Sequence, residues 1–203
     1  MKNFILSSLL ILSFVLINIQ ISSAQSACAG YNDVQTGIWY CPALEFLQER
    51  GVLDKNSSFQ PSQHLNRAEA LKVLLAVKGG DLPERESLFF EIGGKWYTEY
   101  FQSAYAQGFI QSEDGKMSPS KEITKAEFVI LFMQVFDIEL QGSGSCSIGS
   151  STVSSWINIS EKQKNQYLCT AKEQGISNIF SEKFLERAVA MGVLYKGITG
   201  EEL

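Results

Sequence analysis

The sequence is short of the residues on which most catalytic and metal chemistry depends. His64 is the one histidine in 203 residues. It stands alone in a polar loop, so a nucleophile–histidine device has no partner to build on. The four cysteines, Cys28, Cys41, Cys146 and Cys169, include no closely spaced pair of the kind that opens a zinc site. There is no run of lysine and arginine, and with a formal net charge of -5 nucleic acid is not an expected partner. No two carboxylates stand out as an acid and a base set across a cleft, as glycan cleavage would need. Past the N-terminus no stretch is apolar enough to cross a membrane. No catalytic residue, metal ligand or cofactor is therefore expected.

What is present begins with an export signal. Met1-Lys2-Asn3 is a short positive start, Phe4 to Ile21 is an almost unbroken apolar run, and Ser22-Ser23-Ala24 supplies small residues for cleavage. Residues 1–24 thus read as a secretory signal peptide, the alternative being a retained membrane anchor. An even cysteine count in an exported chain implies two disulfides. Of three connectivities, Cys28–Cys41 and Cys146–Cys169 keep each bridge inside one structural unit. Ser26-Ala27-Cys28 resembles a lipoprotein signal in part, but Gln25 stands where an aliphatic residue is usual, and lipidation of Cys28 would leave an odd thiol. A hydrophobic content of 45% is ample for a core.

The chain also repeats itself. Tyr31-Asn32-Asp33-Val34 is echoed by Phe89-Phe90-Glu91-Ile92, Trp39 by Trp96, Gly51 by Gly108, Pro61 by Pro119, Arg67 by Lys125 and Glu69 by Glu127, always at an offset of 57 or 58 residues. A worn third copy opens at Trp156-Ile157-Asn158-Ile159 and closes on Leu185-Glu186-Arg187-Ala188, with Gln163 at the tryptophan position and Val189 at that of the glutamate. Each copy has the grammar of two helices around a loop. Apolar residues recur at helical spacing (Ala43, Leu44 and Leu47; Tyr100, Phe101 and Ala104), and the first helix stops at Gly51, Gly108 or Gly175. The second helix opens with a capping box, Asn66 with Glu69 or Thr124 with Glu127. The expected fold class is all-α, with copies at 28–80, 87–140 and 156–203 and a Gly/Ser-rich linker at 141–155. The residues predicted to be buried are Leu44, Leu47, Leu74, Phe101, Ile130, Met133 and Leu168.

The order aromatic-x-Asp-Val, Trp, Gly, Phe-x-Pro and then Leu65-Asn66-Arg67-Ala68-Glu69 or Ile123-Thr124-Lys125-Ala126-Glu127 resembles the S-layer homology domain. The resemblance spans nearly the whole mature chain. It implies that three units assemble into one pseudo-threefold bundle whose grooves bind an anionic, often pyruvylated, cell-wall polysaccharide. The protein would then be secreted and held at the cell envelope as a non-catalytic attachment module.

The resemblance and the residue chemistry together nominate Asp33, Trp39, Arg67, Glu91, Trp96 and Lys125 as glycan-binding candidates. Arg67 sits in the first turn of a helix beside a polar loop, where its guanidinium and the helix terminus would both favour an anion. Its alternative is a bond to a neighbouring carboxylate. Lys125 lacks the planar fork, and Arg187 reads as structural. Trp39 and Trp96 present either a flat apolar face to a sugar ring or a core contact. Asp33 and Glu91 either accept from sugar hydroxyls or cap local backbone. The rival to glycan attachment is an extracytoplasmic protein–protein scaffold without a working pocket, which the worn third copy makes credible.

Overall fold

The computed structural model describes residues 27–55, 58–82, 89–141, 146–149, 151–177, 183–201 and 203. The signal-peptide expectation for 1–24 lies outside these residues. Six α-helices follow in order: α1 (Cys41–Glu49), α2 (Arg67–Lys78), α3 (Thr98–Ala106), α4 (Lys125–Val135), α5 (Glu161–Glu173) and α6 (Arg187–Thr199). Among the described residues there are isolated β-bridges but no strand, so the fold is all-α, as the periodicity predicts. No helix among them is long and apolar enough to cross a membrane.

The local signals act where the sequence puts them. The first helices α1, α3 and α5 give way to Gly51, Gly108 and Gly175, whose φ values of +68°, +75° and +70° need a residue without a Cβ. Reciprocal capping boxes open α2 (Asn66 with Glu69) and α4 (Thr124 with Glu127). A third box, Ser160 with Gln163, opens α5, so the residue that replaces tryptophan in the worn copy has a capping job of its own. The start of α6 has no side-chain cap, as Val189 in place of glutamate predicts.

The helices pack across copies. α1 lies on α6, α3 on α2, and α5 on α4, so each first helix packs against the second helix of another copy. α4 contacts α2, α5 and α6, and residues Ala126 to Met133 along it are all buried. A helix that is apolar nearly all round belongs in the interior, and α4 is buried on every side over this stretch and not along a single stripe. Leu44, Leu47, Leu74, Phe101, Ile130, Met133 and Leu168 are all fully buried.

The loops before the second helices close a ring. Leu65 N–H donates to the Leu185 carbonyl (2.7 Å), Leu185 N–H to Ile123 (2.9 Å), and Ile123 N–H to Leu65 (3.0 Å). Helix starts are also completed by another copy: Arg67 and Ala68 N–H donate to the Lys121 and Pro119 carbonyls, and Arg187 and Ala188 N–H to Gln63 and Pro61. These donors would otherwise be orphans at a helix terminus. Both disulfides form as expected, Cys28–Cys41 with Cα atoms 5.8 Å apart and Cys146–Cys169 at 5.6 Å. The Cys28 sulfur that a lipid would need is thereby committed to Cys41.

Candidate functional site

In the first two copies the loop is held by the acidic residue of the opening tetrapeptide. Asp33 accepts from the Phe59 and Gln60 amides (both 2.7 Å) and from the Ser58 hydroxyl (2.8 Å). These donors draw the Asp33 carboxyl below the usual carboxylate range, against a desolvation contribution that alone would raise it. Glu91 does the same work in the second copy, accepting from the Met117 and Ser118 amides. In both copies the residue whose amide is held in this way, Gln60 (φ +58°) or Ser118 (φ +50°), lies in the left-handed region. The carboxylate thus offsets a strained backbone just ahead of Pro61 or Pro119. The bonds of these two acids run to loop amides 26 or 27 residues away, so neither acid caps the backbone next to it.

Arg67 departs from its expected exposure. It reaches inward from the first turn of α2 and is 0% exposed. Its Nη2 donates to Glu113 (2.5 Å), its Nη1 to the Met117 carbonyl (2.9 Å), and its guanidinium stacks on Trp156 with Cζ 4.4 Å from the ring centroid. Carboxylate, backbone and aromatic face come from Glu113, Met117 and Trp156, so one side chain ties together segments far apart in the chain. The helix-terminus amides that would have joined it in binding an anion are taken by Lys121 and Pro119. Lys125, its counterpart, is half-buried, and burial lowers its pKa. Glu127 is buried and accepts from Thr124, Ser154 and the Trp156 indole (3.2 Å), consistent with a structural role.

The two tryptophans stay at the surface instead of joining the core: Trp39 is 46% exposed and Trp96 48%. Their surroundings differ. Trp39 lies against α6, close enough to Gly192 that a Cβ there would meet the ring at 2.6 Å. Lys72 stands at the matching position of α2, with its ammonium 5.9 Å from the Trp96 ring centroid. Trp96 lines a groove of about 540 Å³ together with Lys72, Glu69 and Glu99, the floor residues Tyr31 and Phe59, and Arg187 from the start of α6. Arg187 is partly exposed, donates to the Gln63 side chain (2.9 Å) and faces Glu69 at 3.5 Å. Lys72 faces Asp54 at 3.3 Å. The groove therefore offers an indole face, two cations and several carboxylates where α2, α3 and α6 meet the loop before α2. Burial and the nearby Asp54 raise the Tyr31 pKa, so its hydroxyl stays a donor, used on the Asp54 carbonyl at 2.7 Å.

Of the residues nominated from the sequence this groove holds Trp96, and the packing sets Lys72 and Arg187 beside it. Lys72 has no motif; its one signal is its place one turn beyond the capping glutamate, on the helix face that turns toward the next copy. Arg187, which reads as structural, is carried by the packing onto the loop of the first copy, where it meets Gln63 and Glu69. Among the described residues the one candidate trio of metal ligands is Cys28, Cys41 and Glu45, and its two sulfurs are joined in the disulfide.

Residues 30–71 and 91–129 match the family model described as the S-layer homology domain. The chain carries S-layer homology domains. Over 174 residues it is 25% identical to the exoglucanase XynX of Acetivibrio thermocellus, covering 81% of this chain and 16% of that protein. It is 24% identical to an amylopullulanase of Thermoanaerobacterium thermosulfurigenes, covering 81% of this chain and 9% of the relative. The S-layer protein sap of Bacillus anthracis is 22% identical over 130 residues, which is 62% of this chain and 16% of the relative. The chain thus spans a small part of the length of these proteins. The S-layer homology domain is a non-catalytic anchoring module, and a chain carrying it is associated with the cell envelope.

Proposed function

We propose that the chain attaches to the cell envelope by binding an anionic wall polysaccharide in the groove beside Trp96, with no catalysis. The observation that carries this reading is the groove's composition: an exposed indole face with Lys72 above it and Arg187 across from it. Sugar rings stack their C–H faces on indole, and an acidic substituent gains charge-assisted hydrogen bonds from ammonium and guanidinium groups. Asp54 and Glu69 add carboxylate oxygens to the lining of the groove. A pseudo-threefold arrangement of the three copies, the third one degenerate, is part of the reading and is supported by the hydrogen-bonded ring through Leu65, Ile123 and Leu185.

The reading shifts weight among the nominated residues. Trp96 is the principal contact, while Asp33 and Glu91 act by shaping loops. Arg67 and Lys125 belong to the walls between copies, and Trp39 marks a second position where Gly192 lets the ring approach α6 closely. Sedimentation with purified wall polysaccharide tests the proposal. Trp96→Ala should weaken binding by roughly tenfold, about 1.4 kcal/mol, and Lys72→Ala by less, with the far-UV circular dichroism of both unchanged. Wall binding undiminished in folded Trp96→Ala would move the function away from this groove and favour the protein–protein scaffold.

A further inference from the structure

The two disulfides look equivalent in sequence, yet their sulfurs sit in different surroundings. Cys28 and Cys41 are both buried, at 0% and 7% exposure, so a thiol in solution is kept from either sulfur. Cys41 opens α1, where a helix terminus favours a thiolate, but a Glu45 carboxylate oxygen stands 3.6 Å from its sulfur and opposes negative charge there. In the second bridge Cys169 is 1% exposed on α5, whereas Cys146 is only half-buried and is followed by the exposed Ser147. The Cys146 amide donates to the Cys169 sulfur at 3.2 Å.

Thiol–disulfide exchange needs an accessible sulfur for the incoming thiolate and a stabilised thiolate on the departing side. Cys146 supplies the first. Cys169 is placed for the second, since a hydrogen bond to the charged form favours it and offsets part of the cost of burial. The segment around the bridge is also held by other bonds. At one end the Gln141 amide donates to the Thr170 hydroxyl (3.0 Å), which donates back to the Gln141 carbonyl (3.1 Å). At the other the Thr124 hydroxyl donates to the Thr152 carbonyl (3.1 Å) and the Ser154 amide to Glu127 (2.9 Å). Opening the bridge therefore removes the tie at Cys146 and leaves both ends docked, one on α5 and one on α4.

We propose that Cys146–Cys169 is a thiol-exchange site, opened by an external thiol in the folded protein while Cys28–Cys41 stays closed. The incoming thiolate attacks Cys146 Sγ, the S–S bond breaks, and Cys169 leaves as a thiolate with the bonding pair. When the attacker is a dithiol, its second thiolate attacks the attacker's own sulfur in the mixed disulfide and releases Cys146 as a thiolate. Two electrons have then passed from the dithiol to the protein, and the dithiol's two protons end on the two cysteines. The partner class is thus a thiol, and a monothiol stops at an adduct on Cys146. The site is independent of the Trp96 groove and of what binds there.

The test exposes the full chain, with both bridges formed, to dithiothreitol in the absence of denaturant. Samples are quenched in acid, capped with N-ethylmaleimide and mapped as peptides. Cys146 and Cys169 should be capped at least roughly tenfold faster than Cys28 and Cys41. The far-UV circular dichroism should be unchanged when only the second bridge is open. Reduced glutathione in place of dithiothreitol should leave its adduct on Cys146, with Cys169 as the free thiol. Equal opening rates for the two bridges would overturn the proposal. So would a glutathione adduct on Cys169, which would mean that the buried sulfur is the one attacked. Loss of the helical signal in step with opening would also overturn it, since the bridge would then be a structural clasp that opens only on unfolding.

Discussion

At the scale of single residues, the S-layer homology motif carries two kinds of chemistry that look alike in sequence. Arg67 and Lys72 lie five positions apart on α2, yet one is buried against Glu113 and Trp156 and the other lies over an exposed indole. The difference comes from which neighbouring copy each meets, which residue type cannot reveal. Arg67 makes bonds at two Nη atoms and a ring contact, and a lysine has one charged nitrogen and no planar face for all three. Arg67→Lys should therefore destabilise the protein by about 1–3 kcal/mol, the cost of leaving a buried acceptor without its donor. Urea unfolding followed by circular dichroism gives the number, and a variant as stable as wild type would mean that the Arg67 contacts contribute little net. The tryptophans, by contrast, were half legible. Their recurrence at matching places marked them, but whether they faced solvent depended on the residue opposite, lysine in one case and Gly192 in the other.

At the scale of elements, the helix ends were legible because capping is local. Asn66 with Glu69, Thr124 with Glu127 and the glycines at 51, 108 and 175 each act within a few residues. What joins loops to helices across copies was not, since the acceptors for the Arg67, Ala68, Arg187 and Ala188 amides lie on segments far away in sequence. The loop held by Asp33 has a pH signature. Its folded pKa is lowered, so the stability it contributes is present above the unfolded carboxylate value near 4 and is lost as pH falls through the folded value. A melting-temperature profile from pH 7 down to about pH 2.5 should fall steeply at the acid end. In Asp33→Asn that acid slope should be shallower and the neutral-pH melting temperature lower, because an amide cannot accept from Ser58, Phe59 and Gln60 together. An unchanged slope would detach the loop from acid stability. The disulfides act on elements too. Cys146–Cys169 closes 23 residues and holds the segment before Trp156 to α5. Replacing both cysteines by serine should cost about 3 kcal/mol on the chain-entropy account, readable as a drop in the urea midpoint that an equally stable double variant would contradict.

At the scale of the whole molecule, the repeat announced the number of helices, while the packing decided that no copy stands alone. A chain whose first helices pack on other copies' second helices has no boundary at which one copy could unfold and leave its neighbours intact. The expectation is one cooperative transition for all three copies, the worn one included, with calorimetric and van't Hoff enthalpies in agreement. Leu185 is the residue with which to test it. It is buried in the third copy, and its backbone closes the ring with Leu65 and Ile123, bonds that alanine preserves. Leu185→Ala should therefore remove packing alone, at a cost of about 2–5 kcal/mol. The decisive feature is where that loss appears. If the copies form one unit, the single transition moves down as a whole, and Trp96 fluorescence, read with Trp39 and Trp156 replaced by phenylalanine, melts in step with the far-UV signal. A separate early transition that leaves Trp96 fluorescence at its original midpoint would mean that the third copy is an appendage to a two-copy core. In that case the ring would be a contact between units that fold apart, and the contribution of Arg187 to the Trp96 groove would fail before the groove itself did.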